Sequence, residues 1–172
     1  MGWTEVGTGV TGRSRHSFSL YLRRRLGPWG GRRAWFNFFV KPFGATSFAA
    51  FWRQWNPVYG YYLNRYSYRP LSRIVGRRGA MFATFVLCGF LLHDLPAWAA
   101  TRRVLPPGAT IAFTLYGAGA VAAEVLGMDT ARLPVASRVS INMAYLAAGI
   151  AGMLRVLRLT GALGHPAGAH QA

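Results

Sequence analysis

Cysteine, lysine and acidic residues are all scarce in this chain of 172 residues. The single cysteine, Cys88, sits inside an apolar run, which excludes a disulfide scaffold. There is one lysine, Lys41, and the acids are Glu5, Asp94, Glu124 and Asp129. Charged residues make up 14% of the chain, where soluble domains carry about a quarter. No GxxxxGK(S/T), no GxGxxG after a strand, no CxxC and no HExxH is present, which removes the common phosphate-loop, dinucleotide, redox and zinc signatures. What the chain does have is apolar: 52% hydrophobic and 15% aromatic residues, with a positive mean hydropathy. Disorder over most of the length is excluded by that content, and the composition is that of a membrane protein.

Nineteen arginines and Lys41 give a formal net charge of +16. Fourteen of these 20 basic residues lie in residues 1–78, opposed only by Glu5. A pI this high also raises nucleic-acid binding, which predicts a steep loss of affinity with salt. Beside hydrophobic spans, however, a basic aromatic flank reads as a membrane-surface segment, where each Lys or Arg gains about 1 kcal/mol from anionic lipid. The membrane reading is preferred to the nucleic-acid one.

Residues 1–33 read as a basic flexible tail with no uninterrupted apolar segment of signal-peptide type. Its Arg23-Arg24-Arg25 and Arg32-Arg33 clusters either contact phospholipid or sit in a solvated tail that fixes topology. Residues 34–78 are rich in Phe, Trp, Tyr and Arg and predict interfacial helices. Asn37, Lys41, Pro42 and Gly44 interrupt their first part, and Pro70 marks the expected end of the last surface helix. Residues 79–160 hold the predicted spans, at 79–101, 107–128 and, shorter, 139–154. The third needs snorkelling Arg138 and Arg155 or a thinned bilayer. Residues 161–172 form a short tail. The expected fold is an all-α integral membrane protein, with interfacial helices followed by two or three transmembrane helices. The basic bias places the N-terminus in the cytoplasm. Gly119 and Ala123, then Ala144, Ala148 and Gly152, recur every four residues, a spacing that serves either assembly or packing within the chain.

His16, His165 and His170 lie in the tails, where no rigid element fixes them, so no metal site is expected. His93 lies in the second half of the first span, in FVLCGFLLHDLPAW. An ionisable group at membrane depth is costly and usually faces a cavity or partner. A catalytic or substrate-contacting role is weighed against one in packing. Pro96 cannot donate to the Leu92 carbonyl, so it frees an acceptor there and predicts a bend. Gly89, one turn earlier on the same face, leaves room for another group to approach. Asp94 points about 100° away from His93 on a helix and is expected to bond Arg102 or Arg103 near the interface. Glu124 is expected to reach headgroup level.

FWRQWN (residues 51–56), YLNRYSYRPL (62–71) and FVLCGFLLHDLPAW (85–98) together resemble the membrane-bound O-acyltransferase family, in particular its wax synthase, sterol and diacylglycerol acyltransferase branches. The resemblance covers residues 51–98. It implies His93 as general base, Asn56 as a polar partner that holds substrate, and acyl-CoA as donor with no tightly bound cofactor. Trp52, Trp55 and the Tyr-rich run after them then line the donor entrance, and Arg53 and Arg65 meet coenzyme A phosphates, or these aromatics and arginines simply anchor the chain at the interface. The expected partners are membrane lipid, acyl-CoA and a hydroxyl acceptor. Members of the family are usually longer, so the chain is expected either to complete its chamber as a homo-oligomer or to be a remnant. The competing reading is a non-catalytic subunit that packs in a larger membrane complex and contacts anionic lipid.

Overall fold

A leading group of short aromatic helices is laid against three long apolar ones. The computed structural model describes residues 18–28 and 31–162, and every regular element among them is helical. The short helices are α1 (Phe18–Leu26), α2 (Arg32–Trp35), α3 (Phe48–Gln54) and α4 (Pro57–Leu63). They are followed by α5 (Arg69–Gly89), α6 (Leu95–Thr101), α7 (Gly108–Val125) and α8 (Val135–Leu159). His16, His165, His170 and the outer parts of the expected tails lie outside the described residues.

Helix α1 falls within the segment read from sequence as a tail. Phe18, Leu22 and Leu26 recur every four residues and form a stripe, with Leu22 and Leu26 buried against Ala34, Phe38 and Val58. Arg23, Arg24 and Arg25 occupy its last turn, where cations complement the helix dipole. Ser47 caps α3 by accepting from the Ala50 N–H at 3.2 Å, and the fully buried Phe51 anchors that helix against Phe43 and Ala45.

Among the described residues three π-turns interrupt the helical path: Phe36–Val40, Asn64–Tyr68 and Phe90–Asp94. Each is followed by one residue and then a proline: Lys41-Pro42, Arg69-Pro70 and Leu95-Pro96. In each case the residue before the proline donates its N–H to the carbonyl five back, Lys41 to Phe36, Arg69 to Asn64 and Leu95 to Phe90. A proline ring collides with the carbonyl four residues earlier, and widening the turn by one residue relieves that collision. The helical path therefore continues through Pro70, where the sequence predicted an end.

Among the described residues three helical stretches are long and apolar enough to cross a membrane: Pro57–Thr101, Gly108–Val125 and Val135–Leu159. The third is longer than expected, because Arg138 and Arg155 are absorbed into the two ends of α8 instead of bounding it. Helix α5 breaks at Gly76, whose φ of 70° lies in the left-handed region that glycine tolerates. The small-residue pattern divides between its glycines and the alanines of α8. Gly119 meets Tyr145 and Gly152 meets Leu115 within the chain, whereas Ala144 and Ala148 are exposed. Helix α8 is pinned to the aromatic segment by Asn142, which is 2% exposed. Its amide donates to the carbonyls of Phe43 at 2.7 Å and Ala45 at 3.0 Å.

Candidate active site

α5 and α7 run antiparallel, and both ends of the pair are fastened by a carboxylate. At one end the Asp94 carboxylate accepts from the Ala109 N–H at 3.1 Å and from the Thr110 N–H and hydroxyl at 2.7 and 2.6 Å. These are orphan donors of the first turn of α7, where a negative charge is favoured by the helix dipole. Asp94 thus bonds this helix start, not Arg102 or Arg103 as the sequence suggested, because the 102–107 loop turns α7 back across the π-turn. Gly89 allows the approach. A Cβ there would lie 2.7 Å from the Ala109 carbonyl oxygen and from Thr110 Cα. At the other end Glu124 pairs with Arg77 at 3.6 Å and Arg78 at 3.9 Å.

Between these fastenings and the short helices lies a cavity of about 200 Å³. Trp52, Arg53, Trp55, Asn56 and Tyr59 contribute from α3, α4 and the bend between them. The long helices contribute Arg77, Met81, Cys88, His93, Phe113 and Glu124. His93 and Asn56 therefore share one cavity with Trp52, Arg53 and Trp55. Arg65 does not line it. That side chain is exposed, with its guanidinium 5.8 Å from the centre of the Tyr66 ring.

His93 is held within its π-turn. Its Nδ1 lies 3.1 Å from the Cys88 carbonyl oxygen. A carbonyl oxygen only accepts, so Nδ1 is the donor in this contact, and the tautomer compatible with it has its lone pair on Nε2. The ring also packs against Phe113, with centroids 4.8 Å apart, and faces the edge of Tyr59 at 6.4 Å. Phe113 belongs to the same first turns of α7 that Asp94 holds.

Asn56 occupies the left-handed region at φ 41°, ψ 78°, a conformation asparagine tolerates better than most residues. Its Oδ1 accepts from the Tyr59 N–H at 3.3 Å and caps α4. With Oδ1 engaged, the amide Nδ2 is the donor this residue offers. Trp52 is enclosed by Phe51, Phe85, Phe113 and Tyr116. Its Nε1 donates to the Tyr145 hydroxyl at 3.2 Å, and Tyr145 donates in turn to the Tyr116 carbonyl. Trp55 stacks on Phe51 and stays partly exposed.

Arg53 lies between α1 and the cavity, with Arg25 Nη1 donating to its carbonyl at 2.8 Å. Burial, and then the nearby Arg25 guanidinium, hold the Arg53 pKa below the ordinary arginine value, opposed by Glu124. Tyr59, from the Tyr-rich run expected at the donor entrance, also lines the cavity. Arg77 and Phe113 line it as well and were not singled out by sequence. Phe113 and Arg77 depend on the pairing of α5 with α7, which no local pattern encodes.

The model of the MBOAT, membrane-bound O-acyltransferase family, matches residues 30–157. This match extends well beyond the motif-bearing residues 51–98, into α2 and through almost all of α8. No curated protein and no solved structure matches the chain.

Proposed function

Because the chain belongs to the membrane-bound O-acyltransferase family, we propose that it transfers an acyl group from a thioester donor, acyl-CoA, to a hydroxyl acceptor, with His93 as the general base. The observation that carries this reading is that His93 and Asn56 line one cavity while the Cys88 carbonyl engages His93 Nδ1. In the proposed step, Nε2 takes the proton of the acceptor hydroxyl as its oxygen attacks the thioester carbonyl. The carbon–sulfur bond then breaks, and the thiolate leaves with the proton that His93 gained. The Asn56 amide donates to the carbonyl oxygen where negative charge develops. Apolar walls from Met81, Phe113 and Trp52 keep water from competing for the acyl group. Arg53 serves the phosphates of the donor. The proposed orientation places the N-terminus in the cytoplasm.

The test is thiol release from a panel of acyl-CoAs by the purified chain in lipid nanodiscs. Release is expected from the native chain and at least a hundredfold less from His93→Ala and His93→Gln, with both variants still inserted. Equal rates in these variants would remove His93 as the base. Absence of release from the native chain, with a stoichiometric partner co-purifying, would favour the subunit reading.

A further inference from the structure

The cavity has two chemically different ends. His93 lies at the Asp94 end of the α5–α7 pair, and Arg77 with Glu124 lies at the other. Sixteen residues separate Arg77 from His93 along a helical path, about 24 Å at 1.5 Å per residue. Around the far end sit Arg25, Arg53, Arg77 and Arg78, with Glu124 as the carboxylate among them. Arg53, Arg77 and Glu124 all face the cavity itself.

That grouping is short of negative charge. Among the described residues Glu124 is the one carboxylate in this grouping of four guanidinium groups, and its two ion pairs, at 3.6 and 3.9 Å, are too long for hydrogen bonds. Glu124 is also the penultimate residue of α7, where the helix dipole disfavours an anion. It is therefore a weak counter-ion, held by Coulombic attraction that a partly exposed site screens strongly. A phosphate carries more charge and presents three acceptor oxygens, and guanidinium forks fit it in a bidentate manner.

We propose that Arg53 and Arg77 form a phosphate subsite at this end of the cavity, with Glu124 as a displaceable counter-ion that covers it when empty. The inference deepens the acyl-transfer reading, since that reaction has a phosphate-bearing donor. The separation of Arg77 from His93 along the helix requires that a phosphate held by Arg77 be joined to the reacting carbonyl by an extended arm, with Arg53 on the path between them. A phosphate there comes either from such a soluble thioester carrier or from a lipid headgroup.

The experiment measures binding, not turnover. The full chain is placed in phosphatidylcholine nanodiscs and titrated with coenzyme A. In parallel, discs containing phosphatidylglycerol are used to measure retained anionic lipid by native mass spectrometry. Arg53→Ala and Arg77→Ala are each expected to weaken coenzyme A binding about tenfold, and Arg77→Lys to recover only part of it. Glu124→Gln is expected to tighten binding, a gain that misfolding does not produce. If the same variants shift phosphatidylglycerol retention instead of coenzyme A affinity, the subsite stands with a lipid headgroup as its phosphate. It is overturned if neither probe responds to Arg53→Ala and Arg77→Ala, or if Glu124→Gln weakens binding. His93→Ala is expected to bind coenzyme A normally. Transfer surviving in His93→Ala would therefore remove the base and leave the subsite intact, so the two readings fail separately.

Discussion

Asp94 receives both the backbone N–H and the hydroxyl of Thr110, at 2.7 and 2.6 Å, and so ties the residue after His93 to the start of α7. The same turn of α7 leads to Phe113, whose ring backs the His93 imidazole. Asp94 is thus a positioning residue for the candidate base. Asp94→Ala is expected to lower stability by about 2 kcal/mol, from lost capping and unpaired donors. It should also lower kcat with KM nearly unchanged, while Asp94→Asn, which keeps one acceptor oxygen, recovers part of both. Thermal unfolding in detergent and steady-state kinetics read the two effects. A loss of stability with kcat intact would confine Asp94 to folding.

Gly89 is the steric counterpart of that tie. Its missing Cβ would stand 2.7 Å from backbone atoms of both Ala109 and Thr110, and backbone cannot rotate away as a side chain can. Gly89→Ala is expected to cost about 1–3 kcal/mol by overpacking and to reduce transfer by spreading α5 from α7. Gly76→Ala has open space around its Cβ but would be held at φ 70°, ψ 174°, a region essentially restricted to glycine, and should cost about 1–3 kcal/mol through backbone strain alone. If Gly89→Ala unfolds at the native temperature, the close approach at Gly89 is not what joins these helices.

Trp52, Tyr145 and Tyr116 form a hydrogen-bonded relay across three helices, from α3 through α8 to α7. Tyr145→Phe removes the middle hydroxyl and is expected to cost about 1–2 kcal/mol. Trp52→Phe should cost more, because the indole also fills the space between Phe85 and Phe113. Since both variants break the same bond, their costs should fall short of additivity by about 0.5–1 kcal/mol in a double-mutant cycle. Strict additivity would mean that the relay carries no coupling.

The sequence exposed the candidate base, its polar partner and the membrane spans, for separable reasons. His93 stood out because an imidazole inside an apolar run is costly, and Asn56 only because FWRQWN resembles the family's motif. Helix α1 was hidden, since Phe18, Leu22 and Leu26 are interleaved with three consecutive arginines that dominate the composition of the segment. The ends of α8 were hidden because Arg138 and Arg155 read as boundaries, although long side chains can extend from a helix toward the interface. The Asp94–Thr110 and Arg77–Glu124 ties depend on how α5 and α7 pair, which spacing along one helix does not state. Gly89 gave a partial signal. Its open face was legible, but its neighbour was not, and that neighbour proved to be the backbone of α7.

Pro96 offers a test of the π-turn as the device that aims His93. The turn Phe90–Asp94 ends with the Leu95 N–H on the Phe90 carbonyl, one residue before the proline ring that would strike the Leu92 carbonyl of a regular α-helix. Pro96→Ala removes that obstacle and returns an N–H, so an ordinary α-helical ladder becomes available. A change from five-residue to four-residue bonding would turn the following helix by about 100° relative to the preceding one, pulling His93 Nδ1 off the Cys88 carbonyl or Asp94 off α7. Helical content and melting temperature are therefore expected to hold or rise, while kcat for transfer falls at least tenfold. Full activity in a Pro96→Ala variant would show that Asp94 and the Cys88 carbonyl alone are enough to hold the wide turn. The same substitution at Pro42, whose turn Phe36–Val40 contributes nothing to the cavity lining, should leave kcat unchanged and serves as the control.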